Sequence, residues 1–278
     1  MEIKETGLIR LYMANLEQHF VLKRAFALAL ILILTLNFLL IFLSGNVKLN
    51  LLLFTVLIYA GIYFVLGEFI TGFIAFRSPE VIAGRVSRQR LNLKDDTDAG
   101  ELIYYAFKKF RNGNIEECRE ALSKFFALKY LPMEMIRFAY LILADSYLEE
   151  DKSGRALKIL KDHIVKKDSS DSISQFIYGR AFFEQGIYDK ALQALEQSWE
   201  HFLSRNFGVP NIFPSRLKNS ELKTVYRGTL EVFIPYYLAK AYLMLGNRKK
   251  AADFFRTAVV LCRNKHLRPL LKKSFNSM

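Results

Sequence analysis

The sequence predicts an all-α protein in two parts, a two-helix membrane hairpin followed by an α-solenoid of paired helices. Two apolar runs, Ala25–Leu43 and Leu49–Gly67, are separated only by the polar turn "SGNVKLN". Beyond residue 98, small residues followed four positions on by a large apolar one recur at intervals near 35 residues. Glycine stands five residues before three of those small residues, where a turn between two helices would need it.

The elements follow in chain order. Residues 1–24 read as an amphipathic interfacial helix: Leu8, Tyr12, Leu16 and Phe20 recur every four residues, with Glu5, Arg10 and Glu17 turned elsewhere. Such a helix either lies flat on a membrane or packs against the solenoid. Residues 25–76 form the hairpin, with spans at about 25–43 and 50–70. The first run has 19 residues and no charge, and at about 1.5 Å per residue it nearly crosses a hydrocarbon core of roughly 30 Å. It is longer than the apolar part of a signal peptide, and a second span follows at once. Basic residues flank the outer ends of the pair, with only Lys48 in the turn, so both termini are expected on the cytoplasmic side of an inner membrane of bacterial type.

Glu68 interrupts the end of the second apolar run. It is either an intramembrane carboxylate, a functional candidate by default, or a headgroup-level residue where the span has ended. Residues 77–98 form a basic juxtamembrane linker carrying Arg77, Arg85, Arg88 and Arg90, and residues 266–278 a basic tail carrying Lys272 and Lys273. Near an anionic leaflet each such charge contributes about 1 kcal/mol of attraction, so an anionic lipid surface is an expected partner. Two cysteines without metal-ligand spacing, Cys118 and Cys262, fit a reducing compartment and buried core positions.

The repeat occupies residues 99–265. Cys118 with Leu122, Ala156 with Leu160, Ala191 with Leu195 and Ala251 with Phe255 are its anchors. Nine residues before the last three stand Tyr147, Phe182 and Tyr242, and three further back Ala144, Gly179 and Ala239. Lys109 stands at the aromatic position of the first unit. Small residues where two helices cross let their axes approach, and a large ring fills the gap to the next pair. This pattern resembles the tetratricopeptide repeat, a helix–turn–helix unit of about 34 residues, with units at 99–132, 137–170, 172–205 and 232–265. The family's opening tryptophan is absent. The spacing from Ala191 to Ala251 is 60 residues, so about 26 are inserted at 206–231, which either fill the groove or extend it. Helical character resumes at Leu222, and Pro235 is expected to begin or kink the following helix.

The resemblance implies a concave face lined by the first helix of each unit, with ligand contacts at Ile103, Phe107, Leu141, Asp145, Phe176, Arg180, Tyr236 and Lys240. The peptide-carboxylate clamp of chaperone-binding members needs Lys and Asn at such contact positions of the first unit, where Ile103 and Phe107 stand instead. The alternative is that several of these rings are inter-unit core. As a ligand surface, with Arg180 and Lys240 at one end, the face suits a protein partner offering an amphipathic helix or a peptide with an acidic flank. The implied role is a membrane-anchored protein–protein interaction scaffold. A different class keeps the same chain as a structural subunit of a multi-component membrane machine, held through its hairpin, where Gly61, Gly67 and Gly72 permit close helix contact. A transporter or enzyme using Glu68 is the third.

The net charge of +13 has no accompanying nucleic-acid module or basic–aromatic face, so no nucleic acid is expected. No phosphate loop, dinucleotide fingerprint, HExxH or nucleophile elbow occurs; no catalytic residue, metal or cofactor is expected. His163 falls at a small-residue crossing position and reads as a packed residue. Adjacent acids such as Glu149 and Glu150 point to different sides of a helix and read as a solvated face.

Overall fold

The computed structural model describes residues 99–129, 131–164, 171–209, 216–264 and 267–277, with Leu8, Ile9, Arg10, Tyr12, Met13, Leu16, Ala27, Ile31 and Thr35 nearer the N-terminus. One compact unit comprises Met1–Ala14 with Arg88–Met278, and a second comprises Asn15–Ser87. The second span, Glu68, Gly61, Gly67, Gly72 and the linker residues Arg77, Arg85, Arg88 and Arg90 lie outside the described residues. Of the second unit, Leu16, Ala27, Ile31 and Thr35 are described and helical. Ile31 is 57% exposed, and the Thr35 hydroxyl donates to the Ile31 carbonyl at 3.0 Å. Among the described residues no helix is long and apolar enough to cross a membrane.

The first unit is helical throughout its regular elements, with no strand among the described residues. The helices are α1 (Ala99–Arg111), α2 (Ile115–Phe126), α3 (Met133–Leu148), α4 (Ser153–His163), α5 (Ser172–Glu184), α6 (Tyr188–Leu203), α7 (Arg216–Met244), α8 (Arg248–Leu261) and α9 (Leu267–Asn276). Consecutive helices pack as α1/α2, α3/α4, α5/α6 and α7/α8. Their local causes are visible in the sequence. In α1, Leu102, Ile103, Ala106, Phe107 and Phe110 form one buried stripe. Glu101 sits in its first turn and Lys108, Lys109 and Arg111 in its last, matching the helix dipole. Asp171 caps α5 by accepting the Ser174 N–H at 3.0 Å, and Asn247 caps α8 by accepting from Lys250 at 3.2 Å.

The four pairs close with one turn, repeated. The N–H of Asn114, Lys152, Ile187 and Asn247 donates five residues back, to Lys109, Tyr147, Phe182 and Tyr242, at 2.9, 2.9, 3.0 and 2.8 Å. The residue before each donor has positive φ: Gly113 at 85°, Asp151 at 59°, Gly186 at 74° and Gly246 at 79°. This left-handed residue closes the helix end by satisfying carbonyls that have no partner within the helix. Four residues after each donor come Cys118, Ala156, Ala191 and Ala251, all fully buried. At the crossings, Ala106, Ala144 and Ala239 are likewise fully buried. Gly179 is required there by contact, since a Cβ would lie 2.5 Å from Leu195 Cγ. In the same pair the Ser172 and Ser198 hydroxyls each donate to the other's carbonyl, at 2.9 and 2.7 Å.

The structure bears on three expectations. Of the two roles expected for Pro235, beginning a helix is excluded, because it lies inside the 29-residue α7; the surrounding positions are buried, so packing outweighs the one backbone hydrogen bond that proline removes. The described part of the basic 266–278 tail is helical. It folds as α9, capped by Asn264 at 3.1 Å from the Leu267 N–H, with Leu267 and Leu271 buried and Phe275 stacked 4.1 Å from Phe255. Lys272 and Lys273 are exposed on its outer side. His163 is exposed rather than packed inside, its ring lying parallel to Tyr140 at 3.8 Å.

Candidate functional site

The face formed by the first helices is full. The eight side chains expected to line an open groove, Ile103, Phe107, Leu141, Asp145, Phe176, Arg180, Tyr236 and Lys240, are all buried, none more than 4% exposed. Two parts of the chain cover them. The inserted residues lengthen α7 at its N-terminal end, burying Leu222, Val225, Tyr226 and Leu230. The Tyr226 ring lies 5.4 Å from Phe107 of α1 and 5.6 Å from Phe138 of α3, and Glu221 accepts from the Tyr104 hydroxyl at 3.1 Å. The insertion therefore fills the face.

The second cover is N-terminal. Leu8, Ile9, Tyr12 and Met13 are helical and at most 2% exposed. Tyr12 packs edge-on against Phe233 of α7, ring centroids 5.8 Å apart, and Arg10 Nε donates to Glu149 Oε2. Of the two dispositions open for this helix, its described residues take the one against the solenoid.

Glu149 belongs to a buried ionic cluster that the partly exposed Arg10 joins from its edge. Arg180 Nη1 donates to Asp145 Oδ1, and its Nη2 lies 3.5 Å from Glu149 Oε1 and 3.9 Å from Glu184 Oε1. The Arg180 guanidinium also sits over the Phe176 and Tyr237 rings, at 5.8 and 5.7 Å. Burial pushes the Glu149 carboxyl up to about 7 against the pull of Arg180 and Arg10. It does the same to Glu184, with Arg180 opposing, and raises Asp145 despite Arg180. For Arg180, burial works against the charge, but Asp145 leads a set of neighbours that hold the guanidinium well above its ordinary value. The other expected cation, Lys240, is surrounded by rings instead: Phe183 at 4.9 Å, Tyr237 at 5.5 Å and Tyr236 at 5.7 Å. Arg180 is thus matched internally, which reverses the expectation that it offers its charge to an acidic ligand.

Glu149 is the clearest correction on this face. Its side chain is 0% exposed, while Glu150 points the other way and pairs at 2.8 Å with Arg119 and with Lys152. The signal for Glu149 and Glu184 was present: they follow Asp145 and Arg180 by four residues, so each extends the same helical stripe. Cys118 and Cys262 are both buried free thiols, pushed up to about 12 and about 11 by burial.

The helix pair α5/α6 carries a family comparison. Residues 174–202 match the tetratricopeptide repeat family model. The match covers one helix pair and shows what that pair is similar to; in that family such repeats generally mediate protein–protein contacts. The other three pairs share its turn and its buried anchors. Among the curated proteins compared, none matches this chain.

Proposed function

We propose that the protein is a non-catalytic, membrane-anchored scaffold or adaptor whose tetratricopeptide-like domain binds another protein from the cytoplasmic side of an inner membrane of bacterial type. The observation that carries this reading is the recurrence of one turn and one buried small-residue anchor in four stacked helix pairs, together with the family match in the third. Anchoring is supported by the uncharged runs of the sequence, and by Ile31, a helical residue of the first run that is 57% exposed. Lys272 and Lys273, with the basic linker, suit an anionic lipid surface.

The self-filled face favours a second reading, a structural subunit of a membrane machine engaged through the hairpin. Photo-crosslinking in native membranes separates the two. Probes at the exposed positions Ile187 and Leu203 are compared with probes at Gly61 and Gly67. A stoichiometric partner captured from the repeat domain supports the adaptor, and one captured only from the hairpin supports the subunit. Capture from neither would sink both and leave Glu68 as the residue to pursue.

A further inference from the structure

The buried cluster takes one of its cations from the N-terminal segment. From the repeat helices come three carboxylates, Asp145, Glu149 and Glu184, around one guanidinium, Arg180. Lys240 acts on Glu184 electrostatically, and its ammonium also lies over aromatic rings. The second guanidinium is Arg10, which arrives from outside the repeats and bonds to a fully buried carboxylate. Its guanidinium lies against the first turn of the repeats. At the first turn, a Cβ on Gly113 would lie 2.6 Å from Arg10 Nη1, so the repeat presents bare backbone where the guanidinium lies. A planar fork lies against such backbone in a way that a lysine ammonium does not.

The rest of the segment behaves as a ligand does. Leu8, Ile9, Tyr12 and Met13 are anchored at the spacing of one helical stripe, the helix-in-groove mode of recognition. It is also tethered as a ligand would be, because Asn15–Ser87 form a separate compact unit between the segment and the repeats.

We propose that this carboxylate-floored face is a binding site for an arginine-bearing amphipathic helix, occupied in cis by residues 8–13 and open to a partner helix of the same chemistry that displaces them. The partner carries aliphatic residues just before an arginine and an aromatic residue two positions after it. This rests on the adaptor reading and names the chemistry of its ligand. Tethering makes seating of the cis segment intramolecular, so a partner competes only at high affinity or high local density.

The test uses the full chain in detergent with Arg10→Ala, which loosens the resident segment, and a fluorescent peptide of residues 5–17 as probe. Anisotropy should show saturable binding. The same peptide carrying Arg10→Ala should bind at least about 10-fold more weakly, since truncation strands the buried Glu149 carboxylate of a part-buried pair, and the Arg10→Lys peptide should fall between. Glu149→Gln in the chain should erase the preference for arginine. In the wild-type chain, where no fold is perturbed, excess arginine peptide should speed hydrogen exchange at Leu8–Met13 without changing α5 and α6. Equal binding by the Arg and Ala peptides, or no change in exchange at saturating peptide, overturns the proposal. If either occurs while a stoichiometric partner still crosslinks to the repeat domain, the adaptor reading stands and this site falls.

Discussion

The turn edge of the repeat domain and the face across its first helices are built on opposite plans. Along the turn edge one arrangement occurs four times, a positive-φ residue, a hydrogen bond five residues back and a buried small anchor. On the face every contact occurs once: Tyr226 on Phe107, Arg10 on Glu149, Tyr12 on Phe233. The edge is fixed by local sequence and repeats because each unit must turn in the same way. The face is fixed by partners far apart in the chain, and there burial of charge, rather than backbone geometry, sets the energetics.

The largest effect expected from breaking the face is Arg180→Ala. It leaves Asp145, Glu149 and Glu184 buried together without their shared cation, a change that typically destabilises by about 3–5 kcal/mol. Urea denaturation of the full chain measures it. A loss under about 1 kcal/mol would mean that the cluster does not hold the face.

Next comes the response to pH. Glu149 and Glu184 titrate in the fold near 7, above the ordinary glutamate value of 4.5, so the folded protein binds more protons than the unfolded chain between those limits. Their contribution therefore favours the fold at pH 5 and is lost as pH rises through 7, on the order of a few kcal/mol. Replacing both by glutamine should flatten the dependence of the denaturation midpoint between pH 5 and 8. An unchanged slope would place the titration elsewhere.

Breaking the edge should cost less. Gly179→Ala forces Leu195 to move and is expected to destabilise by about 1–3 kcal/mol. The sharpest comparison joins edge to face. Gly186→Ala and Gly113→Ala both place a side chain in the left-handed region, costing about 1–2 kcal/mol. Nothing lies within 4 Å of a Cβ at Gly186, whereas one at Gly113 meets Arg10. Gly113→Ala should therefore cost more, and the excess should vanish in an Arg10→Ala background. Thermal melts of the four combinations decide it.

The same division explains what the sequence disclosed. Cys118, Ala156, Ala191 and Ala251 could be found because periodicity is a local property, and all four are buried at equivalent places. Glycines at 113, 186 and 246 announced their turns, while Asp151 takes the same conformation in the second unit without a glycine to mark it. The filling of the face was less legible. Pro235 suggested a helix start or a kink, and its neighbours are so well buried that the helix begins well before it and includes it. Arg10 and Glu149 are 139 positions apart, and no spacing rule links them. Glu149 beside Glu150 read as a solvated pair because adjacent acids usually are one; the i, i+4 relation of Asp145 to Glu149 was the better guide. The α9 stripe of Leu267, Leu271 and Phe275 was readable too, but was masked by the basic residues between.

The pairing of Tyr12 with Phe233 also has a meaning in time. The two residues are separated by 221 positions, and a ribosome adding about 5–20 residues per second takes roughly 10–45 s to cover that distance. For that interval Leu8, Ile9, Tyr12 and Met13 exist without the surface that will bury them. The segment made early is seated late, and whatever receives it during the delay meets an arginine-centred apolar helix before α7 does.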